Sequence, residues 1–175
     1  TPSYATPNTT ATTTTRHPTA VRRYSAAMDV AVERLTAATE EAVEAFTRLL
    51  PQLSASATPP DATALQALIA WPGNRILAAR IDGTISGVLT LVTFPVPTGL
   101  RARIEDVVVD GSARGHGAGA ALIREALHLA RTEGARTIDL TSRPDRASAI
   151  RLYERLGFTR RASDTFRHTG APRSS

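Results

Sequence analysis

Residues 107–127 read VVVDGSARGHGAGAALIREAL: a run of valines, an aspartate, an arginine, glycine at every second position, then an apolar-periodic segment. No other stretch limits the fold so tightly. The β-branched run predicts a strand, the 3.6-residue apolar period predicts a helix, and the glycines between them predict a loop where something approaches the backbone closely. Without Cβ atoms, glycines let N–H groups turn toward a ligand. The first N–H groups of a helix lack internal partners and carry partial positive charge. An anion, most naturally a phosphate, fits there, and Arg114 adds a bidentate phosphate partner.

Three readings of the loop can be weighed before any resemblance is invoked. The Walker loop needs a lysine, and this chain has none. The dinucleotide fingerprint is a closer rival: Gly115-x-Gly117-x-x-Ala120 matches it, and Asp139 lies about 20 residues on. That fingerprint opens a sheet and needs further strands after it, whereas only 55 residues follow Ala120. A glycine-rich turn with no ligand is the third option, and it loses stability without return.

The rest of the chain reads as an α/β domain. VAVERL predicts a strand. TEEAVEAFTRLL predicts a helix ending near Pro51, and PPDATALQALIAW a second helix. RILAARI and TISGVLTLVTF flank Asp-Gly, a strong hairpin signal. RARIEDVVVD is the next strand, GAALIREALHLARTEGA a helix, RTIDLTS a strand and DRASAIRLYERLGF a helix, with FTRRASDTFRH as a last strand. The expected order is strand, two helices, three strands, helix, strand, helix, strand. The Thr-rich residues 1–27 cannot bury enough surface to offset their ordering entropy and read as disordered. The domain is expected over residues 28–169, with a flexible tail at 170–175. Met28, the one methionine, is taken as the natural start.

Composition excludes several functions. With no cysteine there is no disulfide framework, thiolate nucleophile or cysteine metal site, and the four histidines form no metal spacing. No apolar run approaches the ~18 residues of a membrane span, so a cytoplasmic protein is expected. The formal charge of +5 belongs to the ends: residues 1–27 and 160–175 each carry +3 and the middle about −1. No aromatic-rich motif accompanies the arginines, so nucleic-acid binding is disfavoured.

The stretch VVVDGSARGHGAG resembles the acetyl-CoA loop of the GNAT superfamily of N-acetyltransferases, matching as Arg114-x-x-Gly117-x-Gly119. RASAIRLYERLGF is similar to a later motif of that family through Ala149, Leu152, Tyr153, Gly157 and Phe158, with Arg146 where many members have Asn. The resemblance covers roughly 140 residues and implies a central mixed, mostly antiparallel sheet flanked by helices. It implies transfer of an acetyl group from acetyl-CoA, with no metal, to a small-molecule or peptide amine. Many members are homodimers.

Residue by residue, the resemblance puts the pyrophosphate on the N–H groups of Gly115, His116, Gly117, Ala118, Gly119 and Ala120, beside Arg114. It puts the pantetheine on the strand edge at Val107, Val108 and Val109, which otherwise read as a buried strand. Tyr153 becomes the acid for the departing thiolate; at helical spacing with Ile150 and Leu156 it also reads as a core aromatic. Glu105 becomes the base for the amine. Strand alternation predicts it on the same face as Val107, with Asp106 on the other face satisfying loop N–H groups. His116 falls at the phosphates or in solvent, and His128 on a helix surface. Glu40, Glu41 and Glu44 could attract a cationic amine or form a solvated helix face. Arg101 and Arg103 could meet an anionic acceptor or face solvent. A non-catalytic acyl-CoA-binding regulatory domain is the alternative.

Overall fold

The computed structural model describes residues 21–25 and 30–168. The segment 1–20, Met28 and the tail from residue 170 lie outside the described residues. Among them, six strands form one sheet in chain order: β1 (Arg22–Ser25), β2 (Val30–Arg34), β3 (Asn74–Ile81), β4 (Thr84–Val96), β5 (Gly99–Val109) and β6 (Thr137–Leu140). Neighbours from β1 to β5 are antiparallel, and β6 runs parallel to β5. Helices α1 (Glu40–Leu53) and α2 (Ala62–Ala70) link β2 to β3, α3 (Ala118–Thr132) links β5 to β6, and α4 (Ala147–Arg155) follows β6. This is the expected α/β architecture. No described helix is long and apolar enough to cross a membrane.

Local chemistry sets the boundaries. Thr39 caps α1 by accepting from the Ala42 N–H at 3.2 Å, and Asp61 caps α2 by accepting from the Ala64 N–H at 2.8 Å. Pro51 lies inside the last turn of α1, where its missing N–H costs one bond, so the helix runs on to Leu53. The β3–β4 hairpin turns on Asp82 and Gly83, both at positive φ (48° and 84°), the backbone that Asp-Gly favours.

The sheet has a core on each face. On one, Ala118, Leu122, Ile123 and Ala126 of α3 pack on Val32, Leu77, Leu89, Ala102 and Ile104. On the other, Phe46 and Leu49 of α1 and Leu65 and Ile69 of α2 pack on Ile76, Ala78, Ile85, Val88 and Val108. Each fully buried leucine or isoleucine contributes about 1.5–3 kcal/mol, so α3 is fastened chiefly by Leu122 and Ile123.

The element order departs from expectation at both ends. Arg22–Ser25 forms β1 within the segment read as disordered. A composition argument weighs side-chain burial, but β1 joins by backbone pairing to the edge of β2. Arg22 also reaches the buried Glu125 of α3 at 3.7 Å. At the other end, residues 159–168 form no strand, and every one of them is exposed, Phe166 at 91%. Arg160, Arg161, Ser163 and Asp164 offer no apolar face to hold that stretch against β6.

The α3-side core begins at Val30 and the core beneath α1 and α2 at Leu35. A chain starting at Met28 is therefore expected to fold but to lose β1 and its ion pair, lowering Tm by about 2–4 °C in a thermal melt. Failure to fold would show that β1 is integral to the sheet.

Candidate active site

The end of β5 is irregular. Its register with β4 shifts between Val88 and Thr90: Val88 opposes Val108, but Thr90 opposes Glu105. Asp106 and Val107 thus face one residue of β4, which is a β-bulge, with Asp106 at φ 51°. The bulge reverses the alternation. Ala102 and Ile104 face α3, Val108 faces α1 and α2, and Val107 and Val109 return to the α3 side. Glu105 and Val107 therefore lie on opposite faces, contrary to the period-two expectation. Glu105 shares its face with Arg103, whose Nε donates to it at 2.8 Å. Partial desolvation raises the Asp106 carboxyl above its ordinary range, and the Glu105 charge adds to the effect.

Asp106 lends itself to a stability test. Asn tolerates the left-handed region and carries no charge, so Asp106→Asn should match or slightly exceed wild type in Tm. A raised carboxyl opposes folding while ionised, so any advantage of Asn should shrink as pH falls through the Asp106 pKa. Asp106→Val places a β-branched residue at φ 51° and should cost about 1–2 kcal/mol, a drop of about 3–6 °C. Equal melting of all three would contradict the bulge.

Just before the bulge β5 loses a neighbour. Its pairing with β6 ends at Ile104 opposite Leu140, while β5 continues to Val109. Among the described residues, no strand pairs with that edge of β5 beyond Ile104. Its N–H and C=O groups are open to an extended ligand.

The loop after β5 is anchored before it opens. Asp110 accepts from the Ser112 N–H at 3.0 Å and from the Ser112 hydroxyl at 2.8 Å, capping a 3-10 turn over Gly111–Ala113. Arg48 of α1 pairs with Asp110 and donates to the Ile85 carbonyl at 2.7 Å. The Ser112 bonds, with Arg48 adding to them, hold the Asp110 carboxyl down at about 2. Gln52 accepts from the Gly111 N–H at 2.9 Å. It is Asp110, not Asp106, that satisfies the loop. Arg48 and Gln52 have no local sequence signal, since their partners lie about 60 residues away. The Asp-Gly-Ser turn chemistry does point to Asp110.

Arg114, Gly115, His116 and Gly117 are exposed. Gly115 and Gly117 sit at φ 84° and 88°, and a Cβ at either would meet nothing within 4 Å. Gly117 starts α3 with no side-chain cap, unlike Thr39 and Asp61. The first intrahelical bond runs from the Ala121 N–H to the Gly117 carbonyl at 2.9 Å, so the N–H groups of Ala118, Gly119 and Ala120 precede any helical acceptor. A Cβ on Gly119 would lie 3.4 Å from Leu152 of α4 and 3.7 Å from Val109 of β5. The bare helix start, the open strand edge and α4 thus converge.

Tyr153 of α4 packs on the α3-side core and meets Phe158 edge-on, with ring centroids 6.0 Å apart. Burial pushes its phenol pKa up, against the nearby charge of Arg146. Arg146, at the start of α4, donates to the Leu53 carbonyl of α1 at 3.2 Å. Of the α1 acids, Glu41 is held by Arg80 at 2.5 and 2.8 Å, while Glu40 and Glu44 are exposed.

The sequence profile of the Acetyltransferase (GNAT) family matches residues 35–158, from the turn before α1 through the glycine loop to the end of α4. The chain belongs to the GNAT acetyltransferase family. The mycothiol acetyltransferase of Thermomonospora curvata is 37% identical over 101 residues, covering 58% of this chain and 33% of that protein. The glucosamine 6-phosphate N-acetyltransferase of Trypanosoma brucei brucei is 42% identical over 88 residues, covering 49% of this chain and 58% of that protein. The chain thus spans less than two thirds of either relative's length. Among solved structures, an aminoglycoside acetyltransferase from an uncultured soil metagenomic sample superposes with a TM-score of 0.71 at 20% identity, over 82% of this chain and 97% of that one. A transcriptional regulator from Bacillus halodurans superposes with a TM-score of 0.67 at 26% identity, over 80% and 99%.

Proposed function

We propose that this chain transfers an acetyl group from acetyl-CoA to a primary amine. The observation that carries this reading is the convergence of the uncapped α3 start with the β5 edge that β6 leaves open. When bound, acetyl-CoA supplies a thioester carbonyl and a sulfur leaving group. The N–H groups from Gly115 to Ala120, with Arg114, hold the pyrophosphate through unpaired donors and the helix dipole. The edge of Val107, Val108 and Val109 holds the pantetheine as an added strand would be held. The Val107 N–H, within the bulge, polarises the carbonyl oxygen.

The remaining roles are proton transfers. Glu105 takes a proton from the ammonium form of the acceptor, which otherwise holds it to about pH 10. A neutral amine then forms the C–N bond as the C–S bond breaks, Tyr153 protonates the sulfur, and the proton that the new amide nitrogen sheds passes through solvent to restore the phenol. A phenol whose pKa is raised stays protonated at neutral pH, the form an acid needs. Glu105 lies across the sheet plane from Val107, but a backbone N–H lies in that plane, so Glu105 can meet the amine while the Val107 N–H meets the carbonyl it attacks. The co-substrate implies a cytoplasmic setting.

A non-catalytic acyl-CoA-binding regulatory domain is the second reading, favoured by the likeness to a protein described as a transcriptional regulator. The two are separated by following free thiol release from acetyl-CoA against a panel of small amines, amino sugars and lysine peptides. Amine-dependent release supports transfer. Acetyl-CoA binding without release from any amine supports the regulatory reading.

A further inference from the structure

The sheet face that carries Glu105 is only partly covered. Helices α1 and α2 roof it as far as Val108. Toward the start of β5 the same face continues with Arg103 and Arg101, and the parallel register sets Thr137 and Asp139 of β6 beside them. All five positions are half-exposed, and none belongs to the core beneath α1 and α2. This is a polar floor leading away from the bulge.

Its charges are unevenly matched. Arg103 is paired with Glu105. Arg101 instead donates to two hydroxyls, Thr137 Oγ1 and Thr98 Oγ1, each at 3.1 Å, and its Nε is buried with no acceptor. Among the described residues, no carboxylate lies within 4 Å of Arg101. The guanidinium is therefore clamped in place by neutral groups, and each terminal nitrogen keeps a second N–H. A clamped cation whose charge the fold leaves unmatched is preorganised for an oxyanion, because the entropy of fixing it is already spent. Arg101 stands four residues from Glu105, about 13 Å along the strand.

We infer that Arg101 is the specificity residue of the acceptor site, and that the acceptor is an amine bearing a carboxylate or phosphate on the order of 10 Å from its nitrogen. The inference rests on the transferase reading: Glu105 meets the amine at the bulge, and Arg101 meets the anion at the far end of the floor.

The test is a thiol-release assay with two matched pairs of acceptors: glucosamine 6-phosphate against glucosamine, and Nα-acetyl-lysine against its amide. The full chain is expected to show a KM at least ~10-fold lower for the anionic member of one pair, which also separates phosphate from carboxylate. Arg101→Gln, which can still bond the two threonines, should erase that preference while leaving acetyl-CoA affinity and the KM of neutral amines unchanged. Arg101→Lys should restore part of it. Equal KM values within both pairs, a preference that survives Arg101→Gln, or no turnover with any of the four amines would overturn the inference. If acetyl-CoA itself fails to bind, the transferase reading falls with it; normal turnover of neutral amines alone overturns only the role of Arg101.

Discussion

Gly117→Glu is expected to abolish acetyl-CoA binding, weakening Kd by more than ~10²-fold in a calorimetric titration. Three effects act at this position. A side chain at φ 88° is strained by about 1–2 kcal/mol. Its Cβ meets no atom of the protein, so packing adds nothing to that cost. A carboxylate at a helix start is favourable to the free helix, which offsets part of the strain. The fold should therefore survive, with Tm down by a few degrees. The ligand meets the opposite situation, since a phosphate is asked to share one helix start with a fixed negative charge. Gly117→Ala separates the contributions: it carries the strain without the charge and should bind measurably more weakly than wild type but far better than the Glu variant. Wild-type affinity in Gly117→Glu would remove the loop from the cofactor site.

Tyr153→Phe is expected to lower kcat by ~10²-fold with acetyl-CoA affinity unchanged. Phenylalanine keeps the edge-on contact with Phe158 and the packing on the α3-side core, so stability should change little. Loss of rate would then report the hydroxyl alone. The pH profile gives a second readout. Because burial raises the phenol pKa above its usual value near 10, wild-type activity should hold through neutral pH and fall only as pH rises past that raised value. Without the phenol, the variant should lack this alkaline limb. An unchanged kcat would leave Tyr153 as packing alone.

What the sequence discloses and what it withholds divide along a physical line. The strand, glycine loop and α3 are legible because their determinants are local: β-branched residues, glycines that reach positive φ, and a 3.6-residue apolar period. The caps at Thr39 and Asp61 and the turn at Asp82 and Gly83 are local in the same way. The bulge at Asp106 is not, because a register shift belongs to two strands and leaves no mark on the alternation of one. That is why the faces of Glu105 and Val107 are misread from the sequence. β1 escapes notice because backbone pairing to an edge asks little of side chains. The FTRRASDTFRH stretch reads as a strand by its place in the pattern, yet between Phe158 and Phe166 its only apolar residue is Ala162. The anchoring of the loop by Arg48 and Gln52 joins residues about 60 positions apart, and only the folded chain brings them together.

The most direct test of the account is a calorimetric titration of the 175-residue chain with acetyl-CoA, with NADH as control. Micromolar binding of acetyl-CoA and no heat with NADH is the predicted result. Silence with acetyl-CoA, or binding of NADH in its place, would contradict the assignment of the glycine loop and of every role built on it.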